Sequence, residues 1–224
     1  MPLYIVATPI GNLGDISPRA LACLQTADVV LCEDTRQTIK LLNHYEIKVK
    51  TLSYHQHSDA NRVNEIRALL ASGQKVALVS DAGTPGISDP GNRLIADLVA
   101  TDPDLEISPL PGASAMISAL SISGFPTDKF LFLGFPPHKK GRQTFFREVA
   151  ANDVTTVFYE SNHRIGKCLK ELSLVLEPNR PLMIARELTK QFESIYRGTI
   201  AELLIKTIPA KGEFVVVVSK NYDK

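Results

Sequence analysis

Cysteine is scarce in this chain, three among 224 residues, and Cys23, Cys32 and Cys168 stand singly in apolar stretches with no C-x-x-C spacing. Such a scattered, odd set reads as reduced core residues of a cytoplasmic protein. No apolar run approaches the ~20 residues a membrane helix needs, and Phe214–Val218 is the length of a strand. The opening Met1-Pro2-Leu3-Tyr4-Ile5-Val6 has no basic region ahead of it, so it does not read as a signal peptide. Walker A, G-x-S-x-G and H-E-x-x-H patterns are all missing. Net charge is only +1, and 44% hydrophobic with 22% charged residues excludes disordered, collagen-like and coiled-coil chains. A length of 224 residues fits one large α/β unit or two lobes near 110 residues each.

The near-zero charge conceals an asymmetry. Residues 1–111 hold 9 Lys/Arg against 13 Asp/Glu, whereas residues 112–224 hold 16 against 11. The first half suits a small ligand, and the second is able to face a polyanion; a swing of this size is also within ordinary variation. Short β-branched runs at Leu3–Ala7, Asp28–Cys32, Val49–Ser53, Val76–Ser80 and Leu105–Pro109 read as strands. Between them Ser17–Thr26, Arg36–Tyr45, Asn61–Ser72 and Arg93–Thr101 space their apolar residues as helices do. That alternation predicts a mostly parallel sheet with helices on its faces. After Pro111-Gly112 come a small-residue helix (Ala113–Ile122), then strands and helices ending in two strands, Leu182–Arg186 and Glu193–Arg197, with no helix between them. A mixed sheet follows. The fold class is therefore α/β in two lobes, residues 1–110 with a mostly parallel sheet and residues 111–224 with a mixed one.

Two glycine loops carry most of the functional signal. Thr8-Pro9-Ile10-Gly11-Asn12-Leu13-Gly14-Asp15 follows the first strand, with Glu33 and Asp34 about 20 residues on, which imitates a dinucleotide-binding fingerprint. Its glycines read G-x-x-G rather than G-x-G-x-x-G, and a proline occupies the turn, which argues against a nicotinamide or flavin dehydrogenase. Ser80-Asp81-Ala82-Gly83-Thr84-Pro85-Gly86-Ile87-Ser88-Asp89-Pro90-Gly91 is denser, with three glycines and two prolines directly after the fourth strand. Proline fixes φ and glycine permits positive φ, so this is a stiff, shaped loop at a strand end where ligands bind.

These loops resemble the tetrapyrrole methylase superfamily, and within it the small-subunit ribosomal RNA methyltransferase I family. The same resemblance is carried by Cys32-Glu33-Asp34-Thr35-Arg36, Pro109-Leu110-Pro111-Gly112, Phe158-Tyr159-Glu160-Ser161-Asn162-His163-Arg164 and Ala185-Arg186-Glu187-Leu188-Thr189-Lys190. It implies S-adenosylmethionine bound in the cleft between two lobes, and a homodimer. It implies 2′-O-methylation of a cytidine ribose in the decoding region of small-subunit (16S) rRNA, with the rRNA or the assembled small subunit as partner and no membrane. By position, Asp81, Ala82 and Gly83 match the cofactor loop that other members write Gly-Asp-Pro, with Pro9 in the first glycine loop. Ile87 and Ser88 match its continuation, and Ser114 and Ala115 the helix start behind the methionine part. Tyr159, Leu188, Gly212 and Glu213 match the adenine side. Asn162 stands where the family commonly has proline. Family members usually continue past the last strand with a small helical extension, so RNA affinity is the property a chain ending at Lys224 puts in question. The same fold also serves small-molecule methyltransferases acting on corrin or porphyrin precursors, the alternative reading; a cofactor-binding module without catalysis is a further one.

Methyl transfer to a ribose hydroxyl needs alignment and gains from a base or a stabiliser of the developing alkoxide. Glu160, His163 and Glu187 are the candidate catalytic residues, although Glu160 and Arg164 are also spaced as a salt bridge at a helix start. Around Phe145 and Phe146, the segment 136–147 collects Lys139, Lys140, Arg142 and Arg147, cations and aromatics able to meet phosphates and an unpaired base. Arg36, Lys139, Lys140 and Arg142 are the expected RNA contacts. His55-x-His57 has no third ligand at a sensible spacing, so no metal is expected.

Overall fold

The computed structural model describes residues 2–55, 58 and 60–221, and these divide into two compact units, 1–114 and 115–224. The first alternates strand and helix throughout: β1 (Leu3–Val6), α1 (Pro18–Thr26), β2 (Val29–Cys32), α2 (Thr35–His44), β3 (Lys50–Ser53), α3 (Ala60–Ala71), β4 (Val76–Leu78), α4 (Asn92–Thr101) and β5 (Ile107–Leu110). All pairings are parallel, in the order β3-β2-β4-β1-β5. The chain moves in one direction across the sheet from β1 to β3 and in the other from β3 to β5. Right-handed crossovers then put α1 and α2 on one face and α3 and α4 on the other.

The core follows that division. Leu3, Ile5, Val29, Leu31, Val76 and Leu78 pack with Val63, Ile66 and Leu70 of α3 and Leu94 and Leu98 of α4. The alternate residues Val6, Val30, Cys32, Ala77 and Val79 pack with Ala20, Cys23 and Leu24 of α1 and Leu42 of α2. Period-two alternation splits a fully buried strand between two helix layers, which is why each strand reads as a continuous apolar run. Reversal of the winding leaves β1 and β4 as neighbours whose outgoing connections cross opposite faces. Their carboxyl ends form the topological switch point where ligands bind in such sheets.

The second unit contains α5 (Ala115–Ser123), β6 (Phe130–Phe132), α6 (Arg142–Ala151), β7 (Thr155–Glu160), α7 (Ile165–Ser173), β8 (Pro181–Arg186), β9 (Ser194–Thr199), α8 (Ile200–Ile205) and β10 (Phe214–Val218). Its sheet runs β6-β7-β10-β8-β9, parallel only between β6 and β7. The predicted mixed sheet is present, with β8 and β9 as an antiparallel hairpin. Phe158, Leu182, Ile184, Phe214, Val216 and Val218 face a core shared with α6, α7 and α8. On the opposite face Val157, Val215 and Val217 are buried, and α5 packs against β7 and β10. No helix among the described residues is long and apolar enough to cross a membrane.

Boundaries shift where capping or a turn decides them. Helix α2 begins at Thr35 because the Asp34 carboxylate accepts from the Arg36 N–H, and α5 begins at Ala115, two residues later than expected. Strand β5 starts at Ile107 after a turn closed by Leu105 N–H on Asp102 O. Gly91, ahead of α4, has φ of +142°, and a Cβ there would stand 3.2 Å from Leu78 Cδ2 in the core. Gly91→Ala therefore lowers stability by about 1–3 kcal/mol, seen as a lower urea midpoint with the slope unchanged.

Candidate active site

The two glycine loops meet at the switch point. Thr8 and Gly83 exchange backbone hydrogen bonds, Thr8 N–H to Gly83 O at 2.9 Å and Gly83 N–H to Thr8 O at 3.1 Å. The buried Thr8 hydroxyl adds a bond to Ser80 O at 3.3 Å, and the Ser80 hydroxyl donates to Ala82 O or Gly83 O, each 3.3 Å away. The turn is thus fixed from below, with Gly83 at φ +80° and Asp81 and Ala82 exposed above it. Further along, Gly86 (φ +83°) sits against Asn92, whose amide donates to Gly86 O at 2.7 Å. Ser88 holds φ +61°, a strained setting for a residue with a Cβ, and Ile87 is 42% exposed beside it. Pro9 is buried at the base of the first loop. Gly112 lies so near β1 that a Cβ would come within 3.0 Å of Ala7 Cβ, which seats the segment leading to Ser114 on the same edge.

Carboxylates from β2 and β4 gather here. The Asp34 N–H donates to Asp81 Oδ1 at 3.2 Å. Asp34 also takes a two-pronged bond from Arg36 at 3.0 and 2.7 Å, and with the Arg36 N–H this holds its pKa down at about 2. Asp89 moves the other way: burial, opposed by the Ser80 hydroxyl and reinforced by the nearby Glu33 and Asp81 charges, lifts it to about 6. Glu33 is raised as well, by burial and by Asp81, with His55 acting against them. Sulfonium and ammonium groups of S-adenosylmethionine are cations, so this anionic, backbone-lined edge fits that cofactor.

In the second unit, four loops border one end of the mixed sheet. The loop after β6 is tied by Tyr159 N–H to Gly134 O at 2.8 Å, and the loop after β7 by His163 N–H to Ala210 O at 2.8 Å. Asn162 accepts from Gly212 N–H at 3.1 Å and so joins the α8–β10 loop to the β7–α7 loop. Arg186 Nε donates to Lys211 O at 2.8 Å and brings in the β8–β9 turn. Tyr159, Leu188, Gly212 and Glu213 all lie at this end, Leu188 buried and Glu213 exposed.

The structure bears on four expected roles. Arg142 is 3% exposed, not an RNA contact: its Nη2 donates to Glu160 Oε2 at 2.8 Å and its Nε to Glu171 Oε2 at 2.7 Å. Glu160 is no free base. Its side chain has no exposed surface, and Arg164 Nε lies 2.8 Å from its other oxygen, the helix-start salt bridge that the spacing allowed. Glu187 is also engaged. Burial raises its pKa, but the Glu213 N–H at 2.8 Å and Lys190 at 3.2 Å outweigh that and hold it below the ordinary value. Phe145 and Phe146, 9% and 1% exposed, pack in the core and cannot stack on a base. Lys139, Lys140 and His163 are exposed, and Arg36 projects from the start of α2 with its charge shared with Asp34. Among the described residues no group of three His, Cys, Asp or Glu is placed to hold a metal; His57 lies outside them. The partnership of Asp89 with Glu33 was missed in the sequence, since only the β2–β4 pairing brings 33 and 89 together.

A doubly wound parallel sheet with a stiff loop at its switch point, followed by a mixed sheet ringed by loops, defines the class: two-unit α/β proteins built to hold a ligand at strand ends. The family described as Tetrapyrrole (Corrin/Porphyrin) Methylases matches residues 2–204, and the chain belongs to it. It is 47% identical over 221 residues to a Ribosomal RNA small subunit methyltransferase I from Synechocystis sp., covering 97% of this chain and 78% of that one. A protein of the same name from Hydrogenobaculum sp. is 46% identical, covering 99% and 96%. Among solved structures, the methyltransferase CobJ superposes with a TM-score of 0.70 at 19% identity, covering 98% and 94%. The cobalt precorrin-4 methyltransferase CbiF gives 0.69 at 18%, covering 97% and 94%. Those last likenesses are of fold.

Two outcomes follow from the buried charges. Arg142→Ala strands Glu160 and costs about 3–5 kcal/mol, more than replacing Arg142 and Glu160 together by methionine and leucine, measured by urea unfolding of the three proteins. Because folding raises the Asp89 pKa, its carboxylate costs stability once pH climbs from the unfolded value of about 4 through 6. Asp89→Asn thus gains on the order of 1 kcal/mol at pH 7.5, discounted for solvent screening, and nothing at pH 4.

Proposed function

We propose that this chain transfers the methyl group of S-adenosylmethionine to the ribose 2′-hydroxyl of a cytidine in the decoding region of small-subunit rRNA. The observation that carries the reading is the Thr8–Gly83 ladder, which fixes the Ser80–Gly91 loop at the switch point beside an anionic edge, in a chain 46–47% identical to named rRNA methyltransferases. The corrin enzymes share only the fold at 18–19% identity, so a small-molecule acceptor is the weaker reading. A cytoplasmic homodimer acting on the rRNA or the assembled small subunit belongs to the same proposal.

When bound, S-adenosylmethionine supplies an electrophilic methyl on a sulfonium, and in-line displacement then depends on alignment. The backbone of Asp81, Ala82 and Gly83, with Ile87 and Ser88, holds it, and Pro9, Ser114 and Ala115 sit on the segments beside that loop or following it. Tyr159, Leu188, Gly212 and Glu213 serve the adenine. Asp81 favours cationic groups over neutral ones at the edge. With Glu160 and Glu187 committed to internal partners, His163 is the remaining proton acceptor of the three candidates. Positioning supplies most of the rate. Arg36, Lys139 and Lys140 take the polyanion.

Small ribosomal subunits from cells lacking the equivalent enzyme, incubated with the protein and methyl-labelled S-adenosylmethionine, are expected to acquire label on one cytidine ribose. Label in the base fraction, or none despite cofactor binding by calorimetry, overturns the reading. Gly83→Val, which forces a β-branched residue into φ +80°, is expected to weaken cofactor binding at least tenfold by the same calorimetry while the protein stays folded.

A further inference from the structure

Burial of Phe145, Phe146 and Arg142 removes the stacking and one of the cationic contacts expected of the segment 136–147. Another aromatic takes that place. Phe135 is 50% exposed and belongs to the same loop. Its ring centroid lies 5.2 Å from that of Tyr159, and Tyr159 in turn meets Phe132 edge-on at 5.0 Å. Gly134, at φ +63°, binds Tyr159 N–H through its carbonyl, and Pro136 and Pro137 follow, so the ring is held in place by stiff backbone. An aromatic surface ordered in advance spends little entropy when a flat partner stacks on it.

Charge at this end of the sheet is sorted by depth. The carboxylates of Glu160 and Glu171 face inward, where Arg142 and Arg164 neutralise them, and Lys190 answers both Glu187 and the outer Glu213. Lys139, Lys140 and Lys211 stay exposed, and none of them has an ion-pair partner among the described residues. They stand on two loops that are distant only in sequence. Arg142 Nη1 reaches Pro137 O at 3.4 Å and Arg164 Nη1 reaches His138 Nδ1 at 3.1 Å, which fastens the 136–141 loop to the β7–α7 loop. The His163–Ala210 and Asn162–Gly212 bonds fasten that loop to the one carrying Lys211. The loops that carry Lys139, Lys140 and Lys211 are thereby joined, at an end of the sheet where Phe135 and, in the β8–β9 turn, Phe192 are the exposed rings.

We infer that this end of the mixed sheet binds single-stranded RNA, with Phe135 stacking on an unpaired base and Lys139, Lys140 and Lys211 contacting its phosphates. This rests on the rRNA reading above and adds the residues that grip the strand. Bases splayed from a loop stack on aromatic rings whatever their identity, while lysines track the backbone.

The test uses the full chain, a fluorescent unstructured oligoribonucleotide and salt titration, with methyl transfer to small subunits followed in parallel. Phe135→Ala is expected to weaken binding roughly tenfold with the salt slope unchanged, and Phe135→Trp to restore it. Lys211→Ala is expected to lower the slope of log affinity against log salt by about 0.7, as Lys139→Ala or Lys140→Ala does. Cofactor affinity by calorimetry stays constant in all of these variants. If wild type methylates small subunits yet Phe135→Ala and Lys211→Ala bind the oligomer as wild type does, this inference falls and the proposed function stands. Loss of cofactor affinity in Phe135→Ala, with RNA affinity intact, also overturns it. A wild type that neither methylates nor binds RNA overturns the function, and this inference with it.

Discussion

The Glu160 carboxylate is the constraint on which the second unit's loop end depends. It sits at the end of β7 with no exposed surface and accepts Arg142, the Ser161 N–H at 2.7 Å and the close approach of Arg164. A lone ionised carboxylate there would be prohibitive; with two guanidiniums and a backbone donor its lone pairs are used. A buried pair of this kind adds little net stability compared with apolar residues of the same shape. What it fixes is geometry. One carboxylate meets the first residue of α6 and the residue capping α7, so two helix starts and the loop between β6 and α6 share a single anchor. Cys168, buried directly beneath, has its thiol pKa pushed far up by that burial, so it stays a neutral packing residue.

The first unit reaches rigidity by another route, through backbone rather than charge. Its ligand loop is held by the two-residue Thr8–Gly83 ladder and by an amide that reads Gly86 O, with the Asp81 carboxylate adding a bond from the Asp34 N–H. The local carboxylates also define the electrostatics of the edge. Asp34 is drained of basicity by Arg36, while Asp89 retains a proton to higher pH because it is buried and because Glu33 and Asp81 crowd it. Neighbouring carboxylates with pKa values driven apart are a feature of binding and catalytic edges.

Much of this was legible in the sequence. Apolar runs separated by helical spacing identified the parallel sheet, and the Pro-Gly loops marked its ligand edge, because both signals are local. The mixed sheet was legible from two strands with no helix between them. The side chains at the second unit's loop end were not, since Lys139, Lys140 and Arg142 look alike as a run of cations. A signal was nevertheless present: Arg142, Phe145, Phe146 and Val149 fall at i, i+3, i+4 and i+7, and all four are buried. Helical periodicity by itself puts Arg142 on the face that Phe145, Phe146 and Val149 turn to the core. Glu160 needed a tertiary partner to be read correctly, because its i+4 spacing to Arg164 is short-range while its bond to Arg142 spans 18 residues. Glu187 needed the residue ahead of β10, Glu213, whose backbone N–H it accepts.

The opposite charges of the two halves acquire a physical meaning from these placements. In the first unit Glu33, Asp34, Asp81 and Asp89, four of the thirteen carboxylates, follow β2 and β4, where they favour a small cation. In the second, Glu160 and Glu171 are met charge for charge by Arg142 and Arg164, so the excess of five positive charges over residues 112–224 is carried by the remaining side chains. A chain with net charge +1 can therefore attract RNA over a Debye length of about 8 Å at physiological salt. Uniform positive charge would have drawn RNA as well, but it would have repelled a sulfonium donor. Sorting the charge by unit meets both demands with an almost neutral protein.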